Sequence, residues 1–390
     1  MALSVAFENQ KLALVACDES DERRAYLEDY LGQVNSYRVI GFFQGSPVYS
    51  LYQPPLAIGA GARSLENRLR RRFDHLKIPA SATLSITKVC QCACAHCSAV
   101  YYNQSLRKSL SKKEILLALQ QTMELGVTTL IFLGGEPLLH PDLAEFVKSI
   151  SPEKATAILF TNGEFFTPAM CEKLYGAGLL GAFVSLDSTV AEEHDRLRVR
   201  PGLFHRALQG IENMQRAGLL AGISSYLSHE RLEQGVFEEM MDLGKKLGVA
   251  EITFFDAIPT GRWIHDVSGC LTLPDRLKIK NLVYSYRKQT GFPGLSVQST
   301  MTSACGSAFC FAANTQFYLT AFGEMCPCDF TPLTIGKFPD QSIQDLWKLL
   351  VGTPPYDNRA KSCRMQDPDF REKYIRPIPP EGPFPYPLNY

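Results

Sequence analysis

The chain has 390 residues, 45% of them hydrophobic and 21% charged, enough for a full-size core with one or two smaller domains, and disorder over the whole length is excluded. Forty basic residues balance forty acidic ones, so no net field gathers nucleic acid or anionic lipid. Asp18, Glu19 and Asp21 interrupt the N-terminus before a signal-peptide block forms, and no apolar run approaches membrane-spanning length, so a cytoplasmic location is expected.

Residues 1–80 have a texture of their own, with the charged stretch Asp18 to Arg24, a hairpin expected around Gly45-Ser46-Pro47, and the basic cluster Arg68 to Arg72, which reads as the solvated face of a helix. This unit is expected to be a small domain, with substrate docking as its role. Residues 81–295 alternate short apolar runs with amphipathic stretches, the pattern of strand and helix units in a parallel sheet. Six runs stand out: Thr83 to Thr87, Thr128 to Leu133, Thr156 to Thr161, Ala182 to Leu186, Gly222 to Leu227 and Glu251 to Phe255. Between the first two, Ser111 and Glu114 form a capping box ahead of Ile115, Leu119 and Met123, and Gly126 supplies the stop. Pro201 to Ala217, with Phe204, Ala207, Ile211 and Met214 on one face, repeats the design. Six strands with crossover helices suit an open doubly wound sheet or an incomplete barrel, and periodicity does not choose. In residues 296–375 the alternation stops and cysteines take over. Residues 376–390 are proline-rich and read as extended chain that frays or drapes over the body.

Twelve cysteines are many for a reducing compartment, where thiols are more often metal-binding or catalytic than paired in disulfides. Cys17, Cys171 and Cys270 stand alone and read as small buried hydrophobes. After the first strand, however, Cys90-x3-Cys94-x2-Cys97 puts three thiols in one tight loop, with Cys92 inside it. Three soft ligands suit an iron-sulfur cluster better than structural zinc, which needs a fourth ligand such as Cys92 or His96. Cys92 sits next but one to both Cys90 and Cys94, where chelation would be strained. A three-cysteine cluster leaves one iron open to a ligand. At the end of the second strand, Gly134-Gly135-Glu136-Pro137 joins two glycines that permit close backbone approach to a carboxylate able to accept from a ligand ammonium. Both motifs fall at the sheet edge where parallel-sheet enzymes bind ligands.

Together these residues resemble the radical S-adenosylmethionine (SAM) superfamily. The resemblance runs over roughly Ala82 to Phe255 and continues through Thr161-Asn162-Gly163, Ser185-Leu186-Asp187, His194-Asp195 with Arg198, and Pro259-x-Gly261. It implies an α/β fold, a partial (β/α)6 TIM-like barrel, with a [4Fe-4S] cluster on Cys90, Cys94 and Cys97. It also implies SAM held by His96, Gly134, Gly135, Glu136, Thr161, Asn162, Ser185 and Arg198. Reductive cleavage of SAM would give a 5'-deoxyadenosyl radical that takes hydrogen from a substrate. Cys305, Cys310, Cys328 and Cys363, with Gly323 between, resemble the auxiliary-cluster extension of such enzymes called SPASM or, when shorter, twitch, and imply a second [4Fe-4S] cluster. Cys326 is the ambiguous thiol: an alternative ligand, a hydrogen donor or a bystander.

The resemblance further implies flavodoxin or ferredoxin as electron donor, while the charge balance and the lack of a membrane-length apolar run lead to the expectation of no nucleic-acid or membrane partner. The first substrate expectation is a ribosomally made peptide or protein side chain, crosslinked, oxidised or epimerised. The alternative is a small molecule in a dehydrogenase, lyase or cofactor-biosynthesis step, and from another class, a non-catalytic iron-sulfur or zinc protein. No catalytic side chain is singled out.

Overall fold

The computed structural model describes residues 3–103, 106–302 and 309–388. The N-terminal segment builds a hairpin of β1 (Leu3–Glu8) and β2 (Lys11–Cys17), then α1 (Asp21–Asn35), a second hairpin of β3 (Gly41–Phe43) and β4 (Ser46–Val48), and α2 (Gly59–Phe73). The second hairpin turns at Gly45, whose φ of 79° is the left-handed value a tight turn asks of glycine. Leu3, Val5, Leu12, Leu27, Leu31, Leu65 and Leu69 close a small core. On α2, Arg70 and Arg72 face solvent as expected, but Arg68 lies over the Tyr30 ring at 3.8 Å and Arg71 donates to the Ile78 carbonyl at 3.2 Å. The guanidinium's flat, weakly hydrated face makes such stacking favourable where an ammonium would stay in water.

All six expected strands form, as β5 (Ser81–Ser85), β6 (Thr129–Leu133), β7 (Thr156–Thr161), β8 (Gly181–Ser185), β9 (Leu220–Leu227) and β10 (Glu251–Asp256). Helices α3 (Val100–Asn103) and α4 (Lys112–Glu124) precede β6, and α5 (Leu143–Lys148) and α6 (Pro168–Gly176) follow in the next two crossovers. Then come α7 (Ala191–Arg198) and α8 (Leu203–Arg216), α9 (His229–Glu233) and α10 (Val236–Leu247), and α11 (Leu273–Lys288). The capping box on α4 is present in both directions between Ser111 and Glu114. A further parallel strand, β11 (Gly294–Val297), is too short to register as an apolar run.

Strand order settles the architecture that periodicity left open. From β5 to β11 every strand pairs in parallel with its successor, with no point at which the order reverses. A doubly wound sheet requires such a reversal, and its absence puts successive crossover helices on one face and curls the sheet into a partial barrel. The pleat then sorts side chains: Leu130, Phe132, Ala157 and Leu159 face the helices, whereas Ile131, Ile158 and Phe183 face inward.

The inward face is plugged from the end where the strands begin. Val48 and Leu51 pack against Ile131, Ile158, Leu180 and Phe183. The buried Glu251, first residue of β10, accepts from Leu51 N at 2.7 Å and Ser50 Oγ at 2.9 Å. The Tyr52 ring lies 5.2 Å from that of Phe183, and its hydroxyl is 3.0 Å from Thr253 Oγ1. The N-terminal segment therefore sits at the end of the barrel opposite the Cys90 loop.

Beyond β11, α12 (Gln298–Thr302) leads toward β12 (Gln316–Leu319), which pairs in parallel with β5 and extends the same sheet, followed by antiparallel β13 (Glu324–Cys326). Two short strands, β14 (Leu333–Thr334) and β15 (Gly336–Lys337), and α13 (Ile343–Gly352) complete this region. The proline-rich tail drapes: β16 (Tyr386–Pro387) pairs with β14, and the Phe384 ring stacks on Tyr101 at 3.8 Å. Among the described residues no helix is long and apolar enough to cross a membrane.

Candidate active site

The cysteine loop leaves β5 and is held on three sides by main-chain hydrogen bonds. Toward β6, Gly135 N donates to Thr87 O and Glu136 N to Val89 O, both at 2.8 Å. Toward α7, Ala93 N and Ala95 N donate to the carbonyls of Arg198 and Leu197 at 3.2 and 2.9 Å, capping orphan carbonyls at the helix end. From the turn after β10, Arg262 Nε donates to Cys94 O at 3.0 Å and Arg262 N to Cys97 O at 3.3 Å.

The two glycines serve this clamp. A Cβ on Gly134 would stand 2.3 Å from Thr87 O, and one on Gly135 would stand 2.2 Å from Val89 O and 2.9 Å from Cys90 Cβ. Close approach is thus to the cysteine loop itself. Gly135→Ala is expected to destabilise the protein by about 1–3 kcal/mol, since backbone rather than a mobile side chain must yield. Iron counts on the reconstituted variant should show incomplete loading at the first thiol set.

Cys90, Cys92, Cys94 and Cys97, past the carboxyl end of β5, all line one cavity of about 480 Å³ whose wall also includes Ser81 and Gln316, the first residues of β5 and β12. The Cys92 thiol, set aside as a strained ligand, lies within hydrogen-bonding reach of both Cys90 and Cys94. Its hydrogen bond, helped by the nearby Arg198 charge, outweighs burial and brings Cys94 down to about 6, while burial pushes Cys97 up to about 11. No three His, Cys, Asp or Glu side chains among the described residues are grouped to hold a single metal ion. A four-iron cube instead needs thiolates spread around it, and a loop presenting Cys90, Cys94 and Cys97 to one cavity suits that donor chemistry.

Glu136 is the bracket between two strand ends. Its carboxylate accepts from Thr161 Oγ1 at 2.6 Å, Asn162 N at 2.8 Å and Leu138 N at 3.0 Å, and only 1% of the residue is exposed. Burial outweighs those donors and lifts its carboxyl to about 7. One acceptor site of a carboxylate's four stays available for a ligand ammonium. Asn162 Oδ1 accepts from Gln91 Nε2 at 3.2 Å and Glu164 N at 3.0 Å, tying the cysteine loop to β7. Gly134, Gly135, Glu136, Thr161, Asn162, Ser185, Arg198 and His96 all line the cavity with the thiols, so the structure brings the whole sequence-derived set together.

Two residues gain definition that sequence reading missed. Asp187, the last residue of Ser185-Leu186-Asp187, is buried and accepts from Arg198 Nε at 2.6 Å and Nη2 at 2.9 Å. Burial alone would raise its carboxyl, but Arg198 and His96 hold it far below the usual range. His96 Nε2 lies 3.5 Å from Asp187, and burial lowers its imidazole to about 4, so the ring is neutral at pH 7. It packs between Tyr226 at 4.9 Å and Trp263 at 5.7 Å. The second is Ser225, a buried hydroxyl on β9 with no hydrogen-bond partner, lining the same cavity. A serine among alternating apolar residues carried no signal of this.

Cys310, Cys328 and Cys363 meet at the other end of the cavity. A hydrogen bond from Cys363 brings Cys310 down to about 6, while burial pushes Cys328 up to about 12, with Thr331 Oγ1 at 3.2 Å from its sulfur. Cys305 lies outside the described residues. Cys326 turns the other way, into a cluster with Tyr102, Tyr318 and Phe322, because residues at i and i+2 of the chain leaving β13 do not share surroundings once the strand ends. Cys326→Ala should leave the iron content of the reconstituted protein unchanged, whereas Cys328→Ala should lower it.

Residues 84–243 match the Radical SAM superfamily, so the fold and the thiol loop define a radical SAM domain. The chain is 28% identical to the AdoMet-dependent heme synthase of Methanosarcina barkeri over 67% of its own length and 80% of that protein. It is 26% identical to the AdoMet-dependent heme synthase of Oleidesulfovibrio alaskensis, over 72% and 79% respectively. Its fold is similar to that of Streptococcus suis SuiB bound to the precursor peptide SuiA, with a TM-score of 0.59 at 16% identity, covering 76% of this chain and 70% of that one. The chain therefore carries a radical SAM domain over residues 84–243, and its similarity to AdoMet-dependent enzymes over a longer span supports a radical SAM enzyme.

Proposed function

We propose that this enzyme takes hydrogen from a compact, largely apolar small molecule that enters the cavity between the two thiol sets. Cys90, Cys94 and Cys97 hold the first [4Fe-4S] cluster, and Cys310, Cys328 and Cys363, with Cys305, hold the auxiliary one of a SPASM or twitch-type extension. Held there, the first cluster would give one electron to the sulfonium of SAM, whose carbon-sulfur bond would break to release methionine and the 5'-deoxyadenosyl radical that takes the hydrogen.

The observation that carries this reading is the cavity's shape and lining. The Tyr52 plug closes it where the strands begin, and Phe160, Phe255, Phe330, Tyr318 and Trp263 supply aromatic walls. Aromatic walls exclude water and hold a substrate carbon in one orientation, which is the protein's share of radical chemistry. Charged groups in the lining are mostly acidic, and its arginine, Arg198, is committed to Asp187. The part of the substrate that enters therefore carries no net negative charge. Asp329 lines the cavity with Gln316 Nε2 at 3.3 Å and no cationic partner among the described residues, a place for a substrate hydroxyl or amine to donate. The heme-synthase relatives support a biosynthetic small molecule as substrate.

Peptide modification, the first expectation from sequence, draws on the fold shared with SuiB. It draws less from the N-terminal segment, which packs at the end of the barrel opposite the Cys90 loop. The discriminating experiment is anaerobic: reconstituted enzyme, SAM and a low-potential reductant such as flavodoxin, offered deuterated tetrapyrroles, other apolar intermediates and short peptides. Deuterium in 5'-deoxyadenosine from a small molecule is the expected result. Transfer only from a peptide would overturn the substrate class, and no nucleoside from any mixture would overturn the enzyme reading.

A further inference from the structure

Arg198 ends α7, and its guanidinium is divided between two partners. Nε and Nη2 grip the two carboxylate oxygens of Asp187 at 2.6 and 2.9 Å, and that grip points the remaining nitrogen, Nη1, at Cys94 Sγ, 3.8 Å away. The fork is planar, so fixing one edge fixes the direction of the third nitrogen. Both members are enclosed, with the Asp187 side chain 1% exposed and that of Arg198 13%. The Arg198 carbonyl is itself the acceptor for Ala93 N, which locks the distance between helix end and loop. Val199, in the left-handed conformation with φ 52°, closes the helix directly after it, so the last turn cannot unwind without releasing the loop.

From this geometry we infer that Arg198, oriented by Asp187, donates to the Cys94 sulfur and raises the reduction potential of the cluster that Cys94 holds. The inference rests on the assignment of Cys90, Cys94 and Cys97 as ligands. A reduced cluster carries one more negative charge than an oxidised one, and a buried cation with a hydrogen bond to one ligand sulfur favours the reduced form. Exposed charges lack this leverage because solvent screens them. The Asp187 carboxylate opposes the field but, in exchange, sets the direction of Nη1. Arg198 acts through the sulfur as a positioning and tuning residue. Its influence is present before SAM binds, which separates it from any contact with the SAM carboxylate.

The test is a redox titration of the reconstituted full-length enzyme without SAM, followed by electron paramagnetic resonance. The first cluster's signal is assigned as the one that Cys94→Ala removes. Arg198→Gln should shift its midpoint potential downward, well outside the spread of replicate titrations, and slow the formation of 5'-deoxyadenosine under dithionite. Arg198→Lys, which keeps the charge but loses the fork, should fall between Arg198→Gln and the unaltered enzyme. Arg196→Gln removes the same charge from an exposed position on the same helix and should leave the potential in place. An unchanged potential in Arg198→Gln, or an equal shift in Arg196→Gln, overturns the inference while leaving the cluster assignment standing. Should Arg198→Gln fail to load iron, a potential in Arg198→Lys equal to that of the unaltered enzyme overturns it instead. Absence of any Cys94-dependent signal in the unaltered enzyme overturns the cluster assignment and this inference together.

Discussion

Cys94→Ala is expected to reduce 5'-deoxyadenosine formation to background while the auxiliary thiol set keeps its iron. Cys94 is clamped from both sides, its carbonyl by Arg262 Nε and its sulfur by Arg198, and the loop main chain beside it by the end of α7. Alanine leaves those main-chain contacts in place, so the loop keeps its course and only the thiolate is lost. Chromatography of nucleoside products together with iron and sulfide counts checks this: the count should fall by one cluster. Cys310, Cys328 and Cys363 lie at the far end of the cavity, so their loading should not follow that of Cys94. Surviving cleavage, or loss of all iron, would contradict the division of thiols into two sites.

Glu136→Gln should remove a component of the pH dependence of stability. Burial lifts the folded carboxyl from 4.5 to about 7, above its unfolded value. The sign follows directly: below the unfolded value the group favours the folded state fully, and that contribution is lost as pH rises through about 7, because the unfolded chain ionises first. The shift corresponds to about 3 kcal/mol. Urea midpoints of the SAM-free protein between pH 4.5 and 8 should therefore fall less steeply in the variant. Glutamine also destabilises at every pH, since its amide nitrogen faces one of the three donors that the carboxylate now satisfies. SAM affinity should drop about tenfold or more, the worth of a hydrogen bond to a charged group. A variant with the parental pH profile and unaltered SAM affinity would remove Glu136 from both roles.

The two sites are legible in the sequence to different degrees. The Cys90, Cys94 and Cys97 spacing is readable because a cluster demands particular ligand types within one loop, and such a demand is local in sequence. Glu136 is readable as a carboxylate after two glycines, but its bonds to Thr161 and Asn162 are not, because they join strands separated by a crossover helix.

The sequence by itself determined the strands β5 to β10, the capped helix α4, the thiol loop and the glycine-glycine-glutamate turn. Each depends on periodicity, capping or spacing within a few residues, where local sterics and hydrogen bonding dominate. Only the tertiary structure decided that the sheet curls without reversal, that residues 1–80 plug the end away from the Cys90 loop, and that Cys328 faces the cavity while Cys326 does not. It alone decided that Asp187 aims Arg198 at Cys94. These outcomes depend on which distant surfaces bury one another and which charges are enclosed together, and burial across crossovers leaves no periodic mark on the chain.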